Sequence, residues 1–146
     1  MNINIRSIKI FKNISDKSIK DIENDSELYN YKMGQPIINN DFIPNKVLVI
    51  LSGTARMLYQ LPQRTVTLAK LKTDDIIGSI SLLRATPCEK VNASSDVIVL
   101  ALADNLILKL YNQESSLREY FNQNIETIEL AEFADNYIKN TAKTNL

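Results

Sequence analysis

One stretch of this chain has residue types and spacing suited to chemistry: Ile76-Ile77-Gly78-Ser79-Ile80-Ser81-Leu82-Leu83, running on through Arg84 to Lys90. A glycine where a strand turns into a short helix lets backbone N–H groups point outward, and such a turn can cradle an anion. Any tight strand-to-helix turn also favours glycine, so the turn by itself is equally compatible with a purely structural role. Two cations, Arg84 and Lys90, bracket the polar loop Arg84-Ala85-Thr86-Pro87-Cys88-Glu89. They could pair with a bound anion, or be solvated loop charges. Cys88 is the sole cysteine and reads as a small, half-buried side chain rather than a redox centre.

The rest of the composition removes other chemistries. The chain has no histidine, which takes away the commonest general base and the commonest metal ligand. No nucleophile–base pair and no metal set is visible, so an enzyme is disfavoured and neither a metal nor a cofactor is implied. The 146 residues suit one domain with a real core. Lys+Arg and Asp+Glu both number 17, so no bulk charge draws the chain to nucleic acid or to acidic membranes. One cysteine allows no internal disulfide and suits a reducing, cytoplasmic compartment. No apolar run has the length of a membrane-spanning helix, and Met1 to Lys12 lacks a signal-peptide core.

The elements that must position the Gly78 stretch follow from periodicity. Ile8, Ile10 and Phe11 form an apolar cluster. Ser15 then reads as an N-cap, with Asp16 in the first turn and Ile14 and Ile19 spaced as a hydrophobic staple. The helix is expected from Asp16 to about Asn24, burying Ile19 and Ile22. From Leu28 to Leu102, short apolar strands alternate with turn signals at Gly34, Asn39-Asn40-Asp41, Pro44-Asn45, Ser52-Gly53, Leu61-Pro62-Gln63 and Lys72 to Asp75. Val47 to Leu51 is apolar on both faces and should be central. Lys90 to Ser94 and Val97 to Leu102 read as a strand pair. After Ala103 the period becomes helical. Asp104 reads as the cap of a helix over Asn105 to Tyr111, and a longer helix runs from about Ser115 to Asn140, with Thr141 to Leu146 as a frayed tail. In that last helix Leu117, Phe121, Ile125, Ile128, Ala131, Ala134 and Ile138 form one stripe. Leu130, Phe133 and Tyr137 form a second, offset stripe.

The fold class expected is therefore mainly β with flanking helices (α+β). It is an antiparallel β-roll, a jelly-roll-like barrel over about 28–102, with one N-terminal helix and two C-terminal helices over about 105–140. All 146 residues form one domain. The second stripe predicts a partner for Phe133 and Tyr137, either a second copy in a homodimer or another domain of a larger chain. No nucleic-acid partner and no direct membrane insertion are expected.

The order of a first helix, then Tyr31-Lys32-Met33-Gly34-Gln35-Pro36-Ile37-Ile38, Val47-Leu48-Val49-Ile50-Leu51-Ser52-Gly53, Leu71 to Gly78 and a late helix resembles the cyclic-nucleotide-binding domain family. The resemblance covers roughly Ile10 to Ile138. Gly34, Gly53 and Gly78 fall on turn glycines of that family, while Asp41 and Asp74 stand at two further glycine positions, where Asp tolerates positive φ. The family's nucleotide binders place a glutamate, for the ribose 2′-hydroxyl, after the glycine matched by Gly78; here that residue is Ser79. Their phosphate-pairing arginine falls at Pro87 or Cys88, in a loop about two residues short. The resemblance thus implies a degenerate phosphate cassette at Gly78, Ser79, Ile80, Ser81, Leu82, Arg84, Pro87, Cys88 and Lys90, with at most a weak or altered nucleotide ligand. Ser79→Glu with Pro87→Arg is not expected to restore binding, because the short loop misplaces the arginine.

A closer resemblance supports this. Ile77 to Arg84, followed by Pro87-Cys88-Glu89 and Ala93-Ser94-Ser95, is similar to the N-terminal cyclic-nucleotide-binding-like domain of bacterial ABC exporters that carry a cysteine-peptidase domain and secrete toxin- or bacteriocin-like peptides. It implies the regulatory part of a longer polypeptide on the cytoplasmic side of a transporter. Two alternatives stand beside that reading. One is a working sensor of a cyclic nucleotide or other small ligand. The other is the sensory half of a Crp-type transcription regulator, disfavoured because no basic helix-turn-helix follows and Glu126, Glu129, Glu132 and Asp135 make the last helix acidic.

Overall fold

The computed structural model describes residues 3–144, with side chains as far as Tyr137. Two short 3₁₀ turns, Ile5–Ser7 and Lys9–Phe11, bury Ile5, Ile8 and Phe11. The sequence reading caught the apolar cluster but not the turns. Helix α1, Asp16–Asp25, starts as its sequence dictates: the Ser15 Oγ accepts the Ser18 N–H at 3.2 Å. Ile14 and Ile19, either side of the cap, are buried in one core cluster.

Eight strands follow: β1 Ser26–Tyr31, β2 Pro36–Ile38, β3 Lys46–Ser52, β4 Ala55–Gln60, β5 Thr65–Leu71, β6 Ile76–Ile77, β7 Lys90–Ala93 and β8 Val97–Ala103. They form two antiparallel four-stranded sheets, ordered β1-β8-β3-β6 and β2-β7-β4-β5. The expected β-roll is present. The strands β7 and β8 are not a pair, however. β8 lies between β1 and β3, and β7 lies between β2 and β4. The connection between them crosses from one sheet to the other, and Gly53 makes room for it. With φ +88°, a Cβ at Gly53 would lie 2.1 Å from the Asp96 carbonyl oxygen.

The two-faced apolar strand β3 has two cores to serve. Val47 and Val49 join the cluster built by the N-terminal segment, α1 and the C-terminal helices. Leu48 and Ile50 point into the roll with Met57, Leu71, Ile77, Ile80, Val91 and Val99. All four are almost wholly buried, as a strand covered on both sides requires.

Two C-terminal helices complete the fold, α3 Asp104–Gln113 and α4 Ser115–Thr144. Ala103, not Asp104, is the N-cap of α3; Asp104 is the first helical residue and its carboxylate accepts the Asn105 N–H at 2.7 Å. Helix α4 continues through Thr141–Thr144, so the expected fray is absent there; Asn145 and Leu146 lie outside the described residues. Between the helices, the Glu114 carboxylate accepts the Ser15 N–H and the hydroxyls of Ser15 and Ser18, at 3.1, 2.7 and 2.7 Å. This ties the α3–α4 junction to the start of α1. Burial acts to raise the Glu114 pKa, but the bonds from Ser18 and Ser15 prevail and lower it.

Of the first α4 stripe, Leu117, Phe121 and Ile128 are buried, Ile125 and Ala131 half-buried, and Ala134 exposed; the side chain of Ile138 is outside the description. The helix therefore leaves the core after Ala131. The left-handed residues also correct one expectation. Asp74 has φ +78°, but Asp41 is not left-handed: its N–H is held by the Asn39 side chain at 3.0 Å, closing that turn another way. Ala85, φ +53°, is left-handed instead.

Candidate functional site

Strand β6 ends at Gly78, whose φ of +98° places it in the left-handed region. A Cβ there would meet the Lys46 carbonyl oxygen at 3.2 Å and Pro44 at 3.4 Å. Conformation and space together call for glycine. Gly78 caps helix α2, Ser79–Arg84, which ends at Ala85. The turn thus has the anticipated form, with backbone N–H groups converging at its start.

Those groups are already taken. Glu89, 0% exposed, folds back beneath the turn. Its Oε2 accepts the Gly78 N–H at 2.9 Å and its Oε1 accepts the Ser81 N–H at 2.7 Å. Ser81 answers with its hydroxyl, which accepts the N–H of Cys88 and of Glu89, each at 3.2 Å. Burial raises the Glu89 pKa above its ordinary value, and the N–H bonds from Ser81 and Gly78 only partly oppose this. The sequence sets Glu89 in a polar loop and gives no sign of this role. The only available signal was a carboxylate following a Pro-Cys pair in that loop, which looks like any solvated acid.

The other candidate residues divide into two groups. Gly78, Ser81 and Cys88 come together around Glu89. The Cys88 Sγ lies 3.6 Å from the Ser81 Oγ, and burial raises its pKa, as expected for a half-buried thiol. Ser79, at the position matched to the family's ribose-binding glutamate, is 1% exposed and its hydroxyl has no hydrogen-bond partner. Ile80 points into the roll and Leu82 into the helix-side core. Pro87 is exposed in the loop.

Arg84 and Lys90 do not converge on the turn. Arg84, at the far end of α2, makes two bonds to the Glu132 carboxylate of α4, at 3.0 and 3.1 Å. That fork-to-fork pair is the geometry in which arginine holds a carboxylate most strongly. Lys90 lies in β7 opposite Leu58.

Helix α4 also closes the roll. Ile128 is buried in the roll's own cluster and Ile125 packs against it. Where α2 and α4 meet the roll, an open cavity of about 210 Å³ is lined by Met57, Leu71, Ile80, Tyr120, Asn124 and Thr127 among others, and a larger one of about 450 Å³ is lined by Tyr29, Tyr31, Ile38, Phe42, Pro44 and Lys46 among others. Among the described residues no cluster of acidic or Cys side chains is gathered to hold a metal ion, and no helix is long and apolar enough to cross a membrane.

The model of the cyclic nucleotide-binding domain matches residues 28–114, more than half of the chain. No curated protein sequence matches. Among solved structures, the regulatory subunit of a cAMP-independent protein kinase A from Trypanosoma brucei is similar, with a TM-score of 0.74 at 11% identity over 89% of this chain and 48% of that one. A form of it carrying three substitutions and bound to cAMP gives 0.75, with the same identity and coverage. The corresponding Trypanosoma cruzi subunit bound to guanosine gives 0.71, at 14% identity over 97% and 48%. The Thermus thermophilus catabolite activator protein gives 0.65, at 21% identity over 91% and 62%. At these identities the likeness is one of fold, and the chain spans about half the length of the trypanosomal subunits.

Proposed function

The chain belongs to the cyclic nucleotide-binding domain family, whose domains are regulatory, and from that premise we propose that it is a non-catalytic regulatory and interaction domain whose nucleotide pocket is closed by its own side chains. The observation that carries this is the Glu89 carboxylate bonded to the N–H groups of Gly78 and Ser81. A cyclic phosphate would need those same donors, which the buried Glu89 side chain already fills. Arg84, at the far end of α2, is engaged by Glu132. Ser79 is too short to take the role of a ribose-binding glutamate. Losing a carboxylate and an arginine contact, at roughly 1.5–3 kcal/mol each, moves a micromolar binder to about millimolar.

The trypanosomal subunit described as cAMP-independent supports the view that the fold persists without that ligand, and its three-substitution form bound to cAMP supports the view that few side chains separate the two states. A second reading, a sensor of another small ligand, is favoured by the unpartnered Ser79 hydroxyl. A neutral nucleoside is the ligand class that needs no N–H cradle for a phosphate. We place the domain in the cytoplasm, at the N-terminus of a toxin-secretion ABC exporter; this context rests on the resemblance of Ile77 to Arg84, Pro87-Cys88-Glu89 and Ala93-Ser94-Ser95. A parent gene that continues into cysteine-peptidase and ATPase domains is the expected result, and one without them would remove that context.

Isothermal titration of the 146-residue chain with cAMP, cGMP and guanosine tests the reading. Dissociation constants above about 100 µM are expected for both cyclic nucleotides, and a lower value would overturn the closed pocket. Binding of guanosine alone would favour the second reading. Ser79→Glu with Pro87→Arg is expected to remain inactive. Ser79→Glu with Cys88→Arg and Glu89→Ala is expected to gain cAMP binding, because Cys88, not Pro87, lies against the turn.

A further inference from the structure

We propose that the outer face of α4 between Glu126 and Tyr137 is a docking surface for a basic amphipathic helix supplied by another protein or domain. The inference rests on the proposed role as an interaction module and names the kind of partner. The inner face of this segment is fully occupied. Ile128 enters the roll, Glu132 holds Arg84, and Asp135 is bonded to the Tyr59 hydroxyl at 3.4 Å. The outer face has no such cover: Leu130, Phe133 and Tyr137 are 69, 71 and 65% exposed. They recur at steps of three and four, so they form one stripe down the helix. Bare side chains of this size in a row mark an interaction surface rather than ordinary surface scatter.

Charge selects the occupant. From Glu126 to Tyr137 the helix carries Glu126, Glu129, Glu132 and Asp135 and no Lys or Arg. Glu126 and Glu129 line a shallow groove of about 360 Å³ together with Leu130 and Phe133. Neither has an ion-pair partner among the described residues. A second copy laid parallel on the stripe would bring Glu126 and Glu129 against their own counterparts. An anionic membrane or a nucleic acid would be repelled. A helix with an apolar stripe flanked by Lys or Arg satisfies both the apolar side chains and the unpaired carboxylates.

The test uses the 146-residue chain and two synthetic amphipathic peptides, roughly 20 residues long so that they hold a helix. Both share one Leu/Phe stripe, with Lys-rich flanks in the first and Glu-rich flanks in the second. Fluorescence anisotropy is expected to show saturable binding of the Lys-rich peptide only. Phe133→Ala should weaken it by about tenfold or more. Glu126→Lys with Glu129→Lys should reverse the preference to the Glu-rich peptide, which a merely hydrophobic surface would not do. No binding of the Lys-rich peptide, or equal binding of both, would overturn the proposal. So would light scattering that shows a dimer lost in Phe133→Ala, since a second copy would then be the occupant. None of these readouts depends on nucleotide, so failure here leaves the closed pocket standing.

Discussion

Glu89 and Ser81 hold each other reciprocally: the Ser81 N–H donates to the Glu89 carboxylate at 2.7 Å, and the Glu89 N–H donates to the Ser81 hydroxyl at 3.2 Å. Eight positions apart in the chain, they close the Gly78 turn on itself. An arrangement that in other contexts would hold an anion from solution here holds a side-chain carboxyl group of its own chain.

Removing that carboxylate should therefore cost stability before it changes ligand preference. Glu89→Ala leaves the N–H groups of Gly78 and Ser81 buried and unpaired. At roughly 1–3 kcal/mol for each of the two stranded donors, the variant should lose about 2–6 kcal/mol. Urea denaturation is the measurement. A loss under about 0.5 kcal/mol would mean that water replaces the carboxylate at no penalty.

The same group predicts a pH dependence of definite sign. Burial raises the Glu89 pKa above 4.5 in the folded protein. Folding thus favours the protonated acid, and the stability it contributes is complete below the unfolded value and declines as pH rises through the folded pKa. The difference in stability between wild type and Glu89→Gln should be largest at acid pH and shrink towards neutrality. A difference that instead grows with pH would show the N–H bonds outweighing burial.

Arg84 and Glu132 link α2 to α4 across 48 positions. Both are partly exposed, so Arg84→Ala should cost only about 0.5–1 kcal/mol of global stability. Its local effect should be larger. Hydrogen exchange is expected to rise in α4 beyond Ile128 and to stay unchanged in β3 and β8. Uniform change across the chain would argue against a local latch.

Two turn glycines with the same φ of +88° should differ sharply. At Gly34 an added Cβ meets nothing within 4 Å, so Gly34→Ala carries only the left-handed cost of about 1–2 kcal/mol. At Gly53 the Asp96 carbonyl lies in the way, so Gly53→Ala must also displace the β7–β8 crossover. Its midpoint of thermal unfolding should fall well below that of Gly34→Ala; equal values would refute the crossing role of Gly53.

Local chemistry made much of this architecture legible from the chain. Ser15 caps α1 because a hydroxyl there satisfies an orphan N–H a few residues on, and Gly78 starts α2 because the turn needs a left-handed residue. Both causes lie within the segments they govern. The two-faced apolar run Val47 to Leu51 and the two α4 stripes are likewise written in the local sequence. What tertiary structure decided concerns groups whose partners lie far along the chain or across sheets. A glutamate in a polar loop reads the same whether solvated or buried, and only the folded turn brings Gly78 and Ser81 over Glu89. Arg84 reads as a loop charge until α4 sets Glu132 beside it. Periodicity set Ile128 and Phe133 on different stripes of α4, but the separation of β7 from β8 and the entry of Ile128 into the roll depend on which surfaces the packed elements leave available.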